Sequence, residues 1–139
     1  MASKWVKDIA EMHEKFGVDD WVGHKIFDGD ANTLKQFLAF RINFLEEELN
    51  ETRNAFIEKD PEEIIDGLID LCVIAIGTLD ILGVDADKAW TQVHNANMAK
   101  EPGVKASRPN TFGLPDLVKP EGWKGPDHKD NHGDTAYFV

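Results

Sequence analysis

Apolar residues recur along this chain at helical rather than strand spacing. Trp5, Ile9, Met12 and Phe16 stand three or four apart and Gly17 follows as a stop, which predicts a first helix from about Ser3, its N-cap, to Phe16. The next segment, GVDDWVGHKIFDGDANT, is rich in Gly and Asp and reads as a loop. Its Asp28-x-Asp30-x-Asn32 spacing is that of a calcium loop, but Thr33 stands where the loop needs Gly and Ala39 where it needs Glu, so an EF-hand is rejected. Asn32 or Thr33 is expected to cap a second helix running from Thr33 to Ile57.

In EKDPEE, Asp60 suits an N-cap, Pro61 the first helical position and Glu63 the third, so a third helix runs from there to about Leu82 and stops at Gly83. It is apolar almost all round, which predicts burial on several sides and a homo-oligomer, a dimer or tetramer. Asp85 caps a fourth helix, ADKAWTQVHNANMAK. Beyond it the chain is rich in Gly and Pro, with no strand alternation and no internal repeat. The expected fold is all-α: a four-helix bundle over residues 1–104, with an extended C-terminal arm over residues 105–139.

Composition narrows the function. The 139 residues, 42% hydrophobic, suit one domain with a core. A net charge of −11, from 26 acidic and 15 basic residues, argues against nucleic acid and anionic membranes as partners. The one cysteine, Cys72 in LIDLCVIAIG, permits no intrachain disulfide and reads as a small buried apolar residue in a reducing compartment. No signal-peptide core precedes the first helix and LCVIAIGTL is too short to span a bilayer. A soluble, cytoplasmic protein is expected. No Gly-rich phosphate loop ending in Gly-Lys-Ser/Thr occurs, which excludes an ATP-driven motor on motif grounds.

The acidic residues carry the chemistry. At 100° per residue, Leu34, Phe37, Arg41, Phe44, Leu45 and Thr52 fall within about 60° of Glu48, placing Glu48 at the centre of the apolar face. Glu51 flanks it and Glu47 lies further round, whereas Glu46 and Asn50 point the other way. On the third helix Glu63, Asp66 and Asp70 share a stripe with Val73, Ile74 and Gly77. Converging carboxylates need protonation, salt bridges or a metal. Arg41, the one cation on the stripe, does not balance four or five of them, and all-oxygen ligation favours Mg²⁺, with Mn²⁺ as the alternative. The competing account leaves this side solvated, with Glu promoting helix formation; it is the better account for Glu46 and Glu62. A di-iron carboxylate bundle would need Glu-x-x-His, which is absent from the chain.

Glu47-Glu48-Leu49-Asn50-Glu51 resembles the E-E-x-x-E motif of the MazG-like all-α nucleotide pyrophosphohydrolases, the superfamily of phosphoribosyl-ATP pyrophosphohydrolase and dimeric dUTPases. Its second motif, E-x-x-D, has a literal match at Glu63 to Asp66. The segment LDILGVDADKAW instead resembles the stretch downstream of the family aspartate, which would make that aspartate Asp70, put Gly67 at the glutamate position and leave Asp66 as its substitute. EMHEKFG, VHNANMAK with its Asn97-x-x-Lys100 step, and LPDLVKPEGW extend the resemblance towards phage-encoded members.

The resemblance implies hydrolysis of a (deoxy)nucleoside triphosphate between its α- and β-phosphates, for nucleotide-pool control, in the host cytoplasm if the protein is viral. Glu48, Glu51, Asp66 and Asp70 would hold Mg²⁺, with Glu63 in reserve. Glu47 would bind a second metal or take a proton from water. Arg41 and Lys100 would contact phosphates, and Asn97 sugar, base or phosphate. Lys119, Trp123 and Lys124 would lay a basic, aromatic strap over a nucleotide pocket and Trp21 would stack on a base, although packing explains either tryptophan equally well. His128 and His132 are not read as a zinc site. The rival reading is a non-catalytic helical assembly protein whose acidic cluster binds a structural metal.

Overall fold

Short polar side chains set most helix starts in the computed structural model, which describes residues 2–107 and 111–139. The order is α1 (Lys4–Lys15), α2 (Val18–Phe27), α3 (Ala31–Ile57), α4 (Pro61–Ile81), α5 (Ala86–Met98), β1 (Glu101–Gly103), β2 (Asp116–Val118) and a closing 3₁₀ turn, Thr135–Phe138. The Ser3 hydroxyl accepts from Val6 N–H, and Asp60 caps α4 by accepting from Glu63 N–H at 3.2 Å, with Pro61 in the first turn.

Two local features depart from expectation. The Gly/Asp segment holds a fifth helix, α2, whose Val18, Val22 and Ile26 recur four apart and face the core. The aspartates of the apparent calcium loop are helix ends instead: Asp28 closes α2, and Asp30 accepts from Thr33 N–H at 3.2 Å to start α3 before Asn32. The second feature is a three-residue antiparallel ladder pairing Glu101 with Val118 and Gly103 with Asp116, too short to show as alternation.

The chain divides into two compact units, one ending at Asp87 but rejoined by His132–Val139, the other Lys88–Asn131. Of the expected arm, His132–Val139 belongs to the first unit and the residues before it to the second. In the first unit α3 and α4 pack side by side and α1 lies along α4. Val22, Leu34, Ile81, Leu82 and Phe138 form the core, with Leu34 and Phe138 each only 1% exposed. Asp134 N–H donates to Leu82 C=O at 2.6 Å, and a side chain at Gly133 would meet the Gly83 carbonyl at 2.6 Å, so only glycine fits the closing strap.

α4 buries one side and leaves Ile65, Leu68 and Ile69 exposed, so within this chain it is not covered all round. α1 likewise turns Ile9 and His13 inward, while Trp5 and Phe16 face out. Among the described residues no single helix is long and apolar enough to cross a membrane. Cys72 is a free, half-buried thiol.

In the second unit, the segment after β2 folds back on α5. The Trp123 indole N–H donates to Ala96 C=O at 2.8 Å, and Asp127 N–H to the Gln92 side chain at 3.1 Å.

Candidate active site

Thr52 on α3 and Gly67 on α4 are in close contact. An added Cβ on Gly67 would overlap the Thr52 hydroxyl and lie 3.2 Å from its Cβ. A helix hairpin in contact at that pair brings the turn before Thr52 against the turn after Gly67. Glu48 and Glu51 thereby face Asp66 and Asp70 across the seam.

The electrostatics record this convergence. The Glu48 carboxyl is pushed above its ordinary value, first by desolvation, then by the charges of Glu51 and Asp70, a hydrogen bond with Glu51, and the charge of Asp66. Asp70 is raised in the same way, first by desolvation, then by Asp66 and Glu51. Each is half-buried, while Glu51 and Asp66 are exposed. The converging carboxylates thus form an edge cluster, open to water on one side. None of the four carboxylates makes an ion pair with a described Lys, Arg or His.

Glu63 takes no part in this coupling. It is exposed in the first turn of α4, its amide capped by Asp60. The face opposite Glu48 is Asp66 with Asp70, and Gly67 is occupied by the close approach to Thr52, which leaves no room for a glutamate there. Glu47 is exposed and outside the interactions that raise Glu48 and Asp70; Glu46 is exposed, as expected.

Among the described residues, no three His, Cys, Asp or Glu side chains are gathered tightly enough to form a ready-made metal site. The donor set nevertheless suits a hard divalent cation, because it offers carboxylate oxygens alone, from two rigid helices, with unrelieved mutual repulsion.

Arg41, one helical stretch above the cluster, is tied to the opposite helix: its Nε–H donates to Thr78 Oγ1 at 3.2 Å and an Nη2–H to Ile74 C=O at 3.1 Å. Nη1 makes no hydrogen bond among the described residues. Beside it lies a residue that periodicity missed. His13 is 4% exposed and its Nδ1 stands 2.7 Å from Asp80 Oδ2, which anchors α1 to α4. Its position four after the buried Ile9 was the available signal. Trp21 packs on Phe37 with centroids 4.9 Å apart, a packing role in this structure. In the second unit, Asn97 lies on α5 and Lys100 just beyond it, with its ammonium 5.3 Å from the centre of the Trp123 ring.

The family model of phosphoribosyl-ATP pyrophosphohydrolase matches residues 24–97, more than half of the chain. That span contains α3, α4 and all four coupled carboxylates. No curated protein matches the chain.

Proposed function

The chain belongs to the phosphoribosyl-ATP pyrophosphohydrolase family, and from that premise we propose that it hydrolyses (deoxy)nucleoside triphosphates between the α- and β-phosphates, releasing a monophosphate and pyrophosphate, with Mg²⁺ as cofactor. The family is one of nucleotide pyrophosphohydrolases acting on phosphoric anhydrides, and the chain is placed with it at that level. The observation that supports the finer reading is the mutual coupling of Glu48, Glu51, Asp66 and Asp70, none of which is ion-paired with a described Lys, Arg or His.

In this reading those four carboxylates would hold Mg²⁺, or Mn²⁺ in its place. The ion, when bound, neutralises the polyphosphate and acidifies an attacking water. The chain's own work is positional: α3 and α4, locked at Thr52 and Gly67, hold four oxygen donors on two rigid rods. Glu47, exposed next to the cluster in sequence, accepts the proton of the water. Arg41 has its Nη1 group left to meet a phosphate, since Nε–H and one Nη2–H are committed to α4. Asn97 and Lys100 are proposed as nucleotide contacts from their match to the family's Asn-x-x-Lys step. The exposed Ile65, Leu68 and Ile69 favour assembly as a homodimer or homotetramer.

The test is a panel of NTPs, dNTPs and phosphoribosyl-ATP with Mg²⁺ or Mn²⁺, assayed for pyrophosphate. Turnover that disappears with EDTA is the expected result. Absence of turnover on every substrate would sink the enzymatic reading and leave the acidic cluster as a structural metal site.

A further inference from the structure

The β1–β2 ladder does something its length does not require. Its register pairs Glu101 with Val118, so Lys100, just before β1, and Lys119, just after β2, stand at the next opposed position. Their ammonium groups share one aromatic ring: Lys100 Nζ is 5.3 Å and Lys119 Nζ 5.0 Å from the centroid of Trp123. The ring is held in place. Its Nε1–H is bonded to Ala96 C=O at 2.8 Å, and the Trp123 amide closes a turn on Pro120 C=O at 3.0 Å.

Like charges opposed across a ladder destabilise it, and attraction to the ring offsets this only in part. The chain has 26 acidic residues, yet neither lysine makes an ion pair among the described residues. Two ammonium groups held at one fixed aromatic ring, neither paired with a described carboxylate, match an anion carrying two or more charges.

We propose that Lys100, Lys119 and Trp123 form a binding site for a phosphate or pyrophosphate group. The site lies wholly within the second unit. It deepens the nucleotide reading above, on which it rests for the role of Lys100, and it adds Lys119 and Trp123, which the family motifs do not include.

The test uses the full chain in EDTA, so that no metal-bridged binding contributes. Pyrophosphate, a nucleoside monophosphate and the free nucleoside are titrated calorimetrically into the wild type, Lys119→Ala, Lys119→Arg and Trp123→Phe. The expected result is pyrophosphate binding by the wild type, weakened about 10-fold or more in Lys119→Ala and largely kept in Lys119→Arg, since a hydrogen bond to a charged group contributes at least that factor. Tighter binding of the monophosphate than of pyrophosphate would identify a nucleotide rather than the free anion as the source, and supports the site equally. Equal affinity of wild type and Lys119→Ala, no pyrophosphate binding by the wild type, or free nucleoside binding as tightly as pyrophosphate would overturn it. Nucleotide turnover is measured on the same samples. A wild type that turns over nucleotide while Lys119→Ala binds pyrophosphate normally refutes this site and leaves the hydrolase standing; loss of binding in Lys119→Ala with an inactive wild type does the reverse.

Discussion

Gly67 on α4 and Thr52 on α3 are in direct contact, and any side chain at position 67 would collide with the threonine. This contact sets the spacing between the two pairs of carboxylates. Gly67→Ala should therefore destabilise the protein by about 1–3 kcal/mol through overpacking and weaken Mg²⁺ binding as the helices separate. Adding Thr52→Ala should recover part of both losses. Urea unfolding and a metal titration check this; a Gly67→Ala protein with wild-type stability would contradict it.

Asp70→Asn removes one charge from the coupled cluster and one donor from the proposed metal set. Pyrophosphate release should be abolished, while the melting temperature in EDTA rises because repulsion on Glu48 falls. Circular dichroism should show unchanged helix content. A variant that unfolds in EDTA would make the cluster structural instead.

The pH dependence is set by the direction of two shifts. Glu48 and Asp70 titrate above their ordinary values of 4.5 and 3.8, so the folded chain holds these protons more tightly than the unfolded one. Their contribution to stability grows as pH falls through the raised values and is complete below the ordinary ones. Asp30 opposes them. Hydrogen bonds from Thr33, the side chain first, hold it below 3.8, so its contribution is lost as pH falls through that lowered value. In EDTA, stability should therefore peak on the acid side of neutrality, and saturating Mg²⁺ should move the peak towards neutral pH by competing with the protons. Melting curves between about pH 8 and about pH 4, with and without Mg²⁺, decide the point; a peak that ignores Mg²⁺ would argue against metal at these carboxylates.

His13 is buried against Asp80. Asp80→Ala leaves the His13 Nδ1 without its partner and should cost about 1–3 kcal/mol. Hydrogen exchange should accelerate first in α1, which this pair holds to α4. Unchanged protection in α1 would show that apolar contacts alone hold the helix.

Phe138, the penultimate residue, should be as important as any residue of the helical core. Phe138→Ala is expected to cost about 3–5 kcal/mol, because a fully buried ring is removed from between Val22, Leu34 and Leu82. A loss under about 1 kcal/mol would mean that the closing segment is dispensable.

Local chemistry was legible directly. Ser3, Asp60 and Pro61 mark helix starts by short-range hydrogen bonding, which depends on neighbours in sequence alone. Periodicity put Glu48 on the inner side of α3 and Asp70 on the inner side of α4, since helix phase is fixed by residue number. It was silent on which members of the apolar series on α1 are buried: Ile9 turns inward together with His13, which Asp80 satisfies, while Trp5 and Phe16 stay exposed. α2 was hidden because its Gly and Asp residues resemble a loop until the core claims Val18, Val22 and Ile26.

Spacing along the chain was enough for the helical class, the family motif and a surplus of carboxylates on two facing helices. Whether Glu63 with Asp66 or Asp66 with Asp70 meets Glu48 was a question of how far one helix slides along the other, and no pattern within a single helix contains that distance. The packed helices answer it by seating Gly67 against Thr52, and in that register Asp66 and Asp70 face the glutamates.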